Sequence, residues 1–322
     1  MAEKYFITGA TGLVGSYITH KLVSEGKEVY ALRRENSNVS LLAKINDKIH
    51  WVEGDILDVS LLFEAMQGMN YVIHSAASVS MLAKDKEQTF KVNIEGTANV
   101  VNAALENGVK KFCHISSIAA IGVPENATLI NEKVSWNDDS KDFIYSKSKH
   151  YAEREVWRGI AEGLNAVIVN PSTVLGVCPS DRSSGQIISL VSKGIDYYPS
   201  GNINIVDAED VAAITLRLLH SEVHSEKFIL NAANVSYKDF FGKIATHFGK
   251  PAPARKIGGN TLYALYLLSK IANFLGISKI ALSKEIISAT QSTHTYDNTK
   301  IVTLLNYQFK TWEESVTHAC QG

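Results

Sequence analysis

Through its first 170 residues the chain alternates short apolar runs with longer amphipathic ones. Apolar runs at 4–8, 28–33, 49–53, 70–75, 111–116 and 166–170 have strand length, and the stretches 12–25, 58–67, 84–107 and 143–162 have helical length. Strand–helix alternation predicts βαβ units, hence a parallel sheet covered by helices on both faces. Beyond Pro171 the rhythm loosens. "CPSDRSSG" reads as a loop, "NINIVDAEDVAAITLRLLH" as strand then helix, and "KFILNAA" as a further strand. The region 235–322 reads as mostly helical. Within it Thr311 and Glu314 have capping-box spacing, and Asn306 suits a left-handed helix C-cap. The pattern predicts an α/β protein: a doubly wound parallel sheet over 1–170, with 203–231 returning to it. A smaller, mostly helical lobe is expected from 171–202 and 232–322. That lobe would sit on the carboxyl edge of the sheet, where open α/β sheets bind ligands.

Composition narrows the picture. The 322 residues, 45% hydrophobic and 20% charged, can bury a real core. Thirty-two lysines and arginines against 33 acids argue against nucleic acid as a partner, because phosphate contacts need a basic surface. Cys113, Cys178 and Cys320 are odd in number and widely spaced. They make neither a disulfide framework nor a metal-ligand cluster, which fits a reducing, cytoplasmic setting and no metal. Cys178 lies near the expected pocket but has nothing nearby in sequence to activate it. The first residues enter a strand without the charged and apolar regions of a signal peptide. "TLYALYLLSKIANFLGI" (Thr261–Ile277) falls short of the roughly 20 apolar residues of a span and contains Lys270 and Asn273. It is expected to be a buried or pocket-covering helix, with a surface that touches membrane or a partner as the alternative.

The stretch "YFITGATGLVGSYI" carries the first chemistry. A strand, a tight glycine turn and a helix aim backbone N–H groups and a helix N-terminus at an anion. Gly9 permits the turn, Gly12 lets backbone approach a pyrophosphate, and Gly15 lets the helix pack closely on the sheet. About 20 residues on, an NAD site usually carries an acid for the ribose 2′-hydroxyl. Here "EVYALRRE" places Arg33 and Arg34 at that point. Guanidinium groups hold a 2′-phosphate, so NADP is expected in preference to NAD.

In "FIYSKSKHYAERE", Tyr145 and Lys149 stand at i and i+4, on one helix face. A lysine ammonium beside a phenol lowers a pKa that starts near about 10. A phenol tuned that way can exchange a proton with a substrate oxygen. Tyr145 lies 28 residues after Ser117, which with Ser116 ends a predicted strand. A hydroxyl there can donate to a carbonyl oxygen that gains charge.

These motifs together resemble the extended short-chain dehydrogenase/reductase superfamily, in its NAD-dependent epimerase/dehydratase family and dihydroflavonol reductase-like branch. The resemblance rests on "TGATGLVG" (8–15), "VEGDILD" (52–58), "VIHSAA" (72–77) and "VNIEGTANVV" (92–101). It continues through "ISSIAAIG" (115–122), "YSKSK" (145–149), "VNPSTVLG" (169–176) and "VDAEDVA" (206–212). It implies a Rossmann-type NADP-binding domain at 1–170 and a substrate-binding lobe beyond. It implies Tyr145 as acid/base, Lys149 on the nicotinamide ribose, and Ser117 as the substrate-oxygen donor, with Ser116 the fallback. Asp55 would meet the adenine and Ile56 pack on it, while Ala76 and Ala77 would line the cofactor. Thr11, Leu13 and Val14 join the three glycines as cofactor-binding positions. Asn93 would support the site, holding a proton-relay water, and Pro171 and Val174 would border the nicotinamide. Arg33 replaces the acid of NAD-type members, and Arg34 matches the arginine of reductase-like ones. His74 is expected to be structural, and Asp207 and Asp210 to cap and charge a helix N-terminus. The resemblance also implies a homodimer through the helix bearing Tyr145 and the helix 84–107.

The segments expected to face substrate, "SVSML", "IAAI" and "STVLGV", are apolar or hydroxylic. From residue 171 onward the arginines are Arg182, Arg217 and Arg255, few for a nucleotide-sugar diphosphate. The leading expectation is an NADP-dependent oxidoreductase acting on a small-molecule, uncharged carbonyl or alcohol. The alternatives are a nucleotide-sugar epimerase or dehydratase with recycled cofactor, and a non-catalytic NADP sensor. An arginine-lined diphosphate pocket would favour the former. Survival of biological activity in Tyr145→Phe would favour the latter.

Overall fold

The structure, a computed structural model, describes residues 3–124, 127–136, 143–274 and 283–322. Its strands begin with β1 (Lys4–Thr8), β2 (Glu28–Arg33), β3 (Ile49–Glu53), β4 (Tyr71–His74), β5 (Lys111–Ile115) and β6 (Leu129–Ile130). They continue with β7 (Ala166–Pro171), β8 (Thr173–Leu175), β9 (Tyr197–Pro199), β10 (Asn202–Asp207) and β11 (Glu226–Leu230). The last are β12 (Ala233–Ser236), β13 (Arg255–Ile257) and β14 (Thr295–Tyr296). The first helices are α1 (Leu13–Ser24), α2 (Val59–Ala65), α3 (Lys86–Phe90), α4 (Gly96–Glu106), α5 (Ile144–Ala161) and α6 (Ser183–Ser192). The later ones are α7 (Ala208–Leu219), α8 (Tyr237–His247), α9 (Gly259–Phe274), α10 (Lys284–Gln291), α11 (Thr299–Leu305) and α12 (Trp312–Ala319).

The main sheet runs β11-β7-β5-β4-β1-β2-β3, and every pairing in it is parallel. The order reverses between β4 and β1, which opens a crevice at their carboxyl ends. Successive side chains leave a strand on opposite faces. Tyr5 and Ile7 enter a core with Ile18 and Leu22 of α1 and Val211 and Ile214 of α7. Phe6 enters the opposite core with Leu62 of α2, Val100 of α4 and Val156 of α5. These two layers are the doubly wound, Rossmann-type fold.

The lobe has its own core, in which Ile203 and Ile205 of β10 meet Phe240 and Ile244 of α8 and Val316 of α12. The return of 203–231 to the main sheet is realised only in part. β11 pairs with β7 there, whereas β10 pairs with β8 and β12 in a separate three-stranded sheet. The strand after Ser172 diverts β10: Ile205, Val206 and Asp207 register on Thr173, Val174 and Leu175. The expected single helix at 84–107 is interrupted by a π-turn at Lys91–Glu95, a device that re-aims side chains. The capping box at Thr311 and the left-handed Asn306 are both present.

The expected burial of 261–277 needs correction. Residues 275–277 lie outside the described residues. In α9 Tyr266 and Ser269 are buried, but Tyr263, Leu265, Leu267 and Leu268 are exposed. One narrow stripe suffices because α9 packs mainly on α10. Among the described residues, no helix is long and apolar enough to cross a membrane.

Candidate active site

The turn between β1 and α1 sits at the crevice. Gly9 has φ +72°, and a Cβ there would lie 2.5 Å from the Ala76 amide nitrogen. Only glycine lets this loop meet the segment that follows β4. A Cβ at Gly15 would overlap the Gly9 carbonyl oxygen, so the first turn of α1 rests directly on the loop. Gly12 is the N-cap, with no side-chain bond to the helix, and the first turn carries no acid. Uncapped N–H groups and the positive helix end therefore face outward, as an anion site needs. Leu13 is buried, Val14 packs into the core, and Thr11 is partly exposed on the turn.

Arg33 ends β2. Its guanidinium lies 5.0 Å from the centre of the Trp51 ring, and its buried Nε has no partner among the described residues. Arg34 is exposed, and its amide donates to Ser37 Oγ. The Asp55 carboxylate accepts from the Leu57 amide. Asp58, not Asp55, caps α2 by accepting from the Leu61 amide. Ile56 is buried against Gly96, so its side chain is committed to α4. Ala76 is partly buried and Ala77 exposed, immediately beside the glycine turn. The glycine cradle and the unpartnered Arg33 Nε suit a dinucleotide phosphate group.

Asn93, in the π-turn, is buried rather than an ordinary exposed helix residue. Its Oδ1 accepts from the Ser78 amide at 2.7 Å. Its Nδ2 donates to the Ser78 carbonyl at 3.0 Å and to Ser148 Oγ at 2.8 Å. Ser148 Oγ in turn donates to the Tyr145 carbonyl at 2.7 Å. Asn93 therefore clamps the loop after β4 to the helix that carries Tyr145.

Ser117, Tyr145 and Lys149 come together at the end of β5. Ser117 Oγ accepts from the Ala119 amide, and its side chain stands near enough to the Tyr145 phenol to act on it. Lys149, 2% exposed, donates to the Ile115 carbonyl at 2.9 Å. Burial lowers the Lys149 pKa to about 8, opposed by Glu153. Tyr145 departs from expectation: burial pushes its phenol up to about 12, Ser117 opposes, and the Glu285 carboxylate adds to the rise. The ammonium of Lys149 is engaged with backbone instead of offsetting that burial.

Ser116 has a different task from Ser117. Its hydroxyl donates to Glu153 Oε1 at 2.6 Å. Asn170 Nδ2 also reaches Glu153 Oε1 and donates to the Ser117 carbonyl at 2.9 Å. Lys227 Nζ lies 3.9 Å from Glu153. Glu153 is 2% exposed, and burial raises its pKa against these partners. Sequence reasoning passed over Glu153, although Tyr145, Lys149 and Glu153 mark one helix face at i, i+4 and i+8.

Pro171 is buried at the end of β7, and Val174 of β8 packs partly buried against the core. His74 is structural as expected: its ring nitrogens meet Thr8 Oγ1 at 2.7 Å and Thr97 Oγ1 at 2.9 Å. Burial and the Lys149 charge hold its pKa at about 3. Asp207 caps α7 through the Glu209 amide. Asp210 is an acid of the first turn of α7, as expected, and also takes the Tyr307 hydroxyl and the Lys310 amide. A cavity of about 690 Å³ lined by Tyr17, His20, Asp210 and His318 shares no lining residue with the Ser117 group.

Residues 5–233 match the NAD dependent epimerase/dehydratase family. The chain belongs to this family. A Synechocystis protein named "Putative dihydroflavonol 4-reductase" is 32% identical over 265 residues, 80% of this chain and 76% of the relative. Sterol demethylase protein B of Methylococcus capsulatus is 26% identical over 81% of this chain and 80% of its own. The crystal structure of gox2253 superposes with TM-score 0.85 at 32% identity, covering 99% of this chain and 97% of that one. As a member of the epimerase/dehydratase family, the chain is an NAD(P)-dependent enzyme of the short-chain dehydrogenase/reductase type.

Proposed function

We propose that the chain is an NADP-dependent oxidoreductase acting on an uncharged, largely apolar carbonyl compound or its alcohol, a ring ketone of the dihydroflavonol or steroid kind. The observation that carries this reading is the gathering of Ser117, the Tyr145 phenol and buried Lys149 at the carboxyl edge of the sheet. The names of the relatives, a dihydroflavonol reductase and a sterol demethylase protein, support the polycyclic class. The arginines support it too. Arg217 lies over the Tyr307 ring, Arg255 over the Tyr197 ring, and exposed Arg182 is the N-cap residue of α6.

Gly9, Gly12, Gly15 and the start of α1 would hold the pyrophosphate of NADP, Arg33 and Arg34 its 2′-phosphate, and Lys149 the nicotinamide ribose. When bound, the nicotinamide supplies or accepts the hydride. Ser117 and Tyr145 hold the substrate oxygen between their hydroxyls. In reduction Tyr145 passes its proton to that oxygen, and in oxidation it takes the proton back. A phenol with raised proton affinity carries its proton at neutral pH. Ser116, Asn170 and Glu153 keep the Ser117 loop in register. The reading includes a homodimer through α5 and the helical segment 84–107. A sedimentation run showing only monomer at micromolar concentration removes that part.

The test is NADPH absorbance over time with dihydroflavonols, ring ketones and nucleotide sugars, with Tyr145→Phe as control. Net loss with an uncharged ketone, abolished in the variant, supports the reading. Altered nucleotide sugars without net NADPH loss overturn it in favour of an epimerase.

A further inference from the structure

We propose that Glu285, on helix α10 of the C-terminal lobe, is a positioning residue: it supplies the N-cap that helix α5 lacks, and so ties the seating of the lobe to the placement of Tyr145. The inference rests on the oxidoreductase reading only for its kinetic arm.

The N-cap residue of α5 is Phe143, which has no side chain able to cap. In the usual arrangement a polar side chain at that position accepts from the amides two and three residues into the helix. Here Glu285, 140 residues away, does so. Its Oε2 accepts from the Tyr145 amide at 3.2 Å and its Oε1 from the Ser146 amide at 2.9 Å. Ser146 Oγ adds a third bond to Oε1 at 2.6 Å. The carboxylate is buried. A negative charge at this point also complements the positive end of α5. Glu285 is itself fixed locally, because Ser283 caps α10 by accepting from the Ile286 amide.

The capped amide belongs to Tyr145 itself, so loss of the cap frays the turn that aims the phenol. Two groups act on that phenol from outside α5: Ser117 from the turn after β5, and Glu285 from α10. Lys149 stands one turn further along α5, with its ammonium on the Ile115 carbonyl. Glu285 and burial both favour the protonated phenol. Glu285→Gln keeps an acceptor but removes the charge, whereas Glu285→Ala removes both.

Hydrogen exchange and a pH profile test the two consequences on the full-length protein. In Glu285→Ala the amides of Tyr145 and Ser146 should exchange at least about tenfold faster, while the amides of β1, β4 and β5 keep their protection. Unchanged exchange at 145–146 overturns the proposal. Alcohol oxidation needs the phenolate, so its rate rises with pH. In Glu285→Gln that rise should move to lower pH by about half a unit or more. A rate lowered equally at every pH, with the limb unmoved, means a merely structural residue and overturns the positioning role. If the parent protein oxidises no alcohol, the oxidoreductase reading fails, and exchange alone decides on the cap.

Discussion

Two carboxylates brace helix α5, and they differ in origin. Glu153 belongs to the helix and faces the sheet, where it gathers Ser116, Asn170 and Lys227. Glu285 belongs to the lobe and reaches the first turn from outside. The sheet side thus fixes Ser117 through residues on β7 and β11, and the lobe side fixes Tyr145. The two hydroxyls proposed to share a substrate oxygen are therefore set by different halves of the molecule. Their alignment depends on how those halves meet.

Tyr145→Phe removes the proposed proton donor and should lower kcat by about 10²–10⁴-fold, with NADPH affinity little changed. Turnover and cofactor titration on the same preparation check both parts. On the sheet side, Glu153→Leu strands the Ser116 hydroxyl, the Asn170 amide and the charge of Lys227. It should cost about 3–5 kcal/mol of stability, read from the urea midpoint, with Glu153→Gln costing less. At the crevice, Arg33→Ala removes a charged donor worth about 1.5–3 kcal/mol. NADPH binding should weaken by about ten- to a hundredfold, and NADH binding should hold.

The lobe side offers the smallest effect. His318 Nδ1 lies 2.9 Å from Asp207 and its Nε2 3.0 Å from the Tyr17 hydroxyl, joining α12 to α7 and α1. The hydrogen bond to Asp207 raises the His318 pKa above its ordinary value, against burial. The stabilisation is then complete below about pH 6.5 and is lost as pH rises through the raised folded value. Thermal midpoints should fall by a few degrees across that window, and His318→Gln should flatten the slope. A slope that persists in the variant assigns the pH dependence to another group.

The same contrast governs what could be read from the sequence. The sheet half announces itself because its strands are continuous apolar runs and its helices cap locally, as Asp58 and Asp207 do. Gly9, Tyr145 and Lys149 were legible for the same reason: their chemistry depends on spacing within a single turn or helix. The π-turn at Lys91–Glu95 leaves the helical pattern around it intact, so nothing in the sequence marks it. β8 is three residues long, too short to carry a period. The raised proton affinity of Tyr145 follows from burial and from the Glu285 carboxylate, tertiary neighbours that no local pattern marks. Glu285 contacts α5 across 140 residues, and no local pattern predicts a cap donated from another element.

The central claim is that Ser117 and Tyr145 serve net carbonyl reduction of an uncharged ring compound. NADPH absorbance with a dihydroflavonol or steroid ketone, run beside Tyr145→Phe, tests it most directly. The account predicts stoichiometric loss of NADPH that disappears in the variant. Loss that persists in Tyr145→Phe, or conversion of a nucleotide sugar with NADPH unchanged, would contradict it.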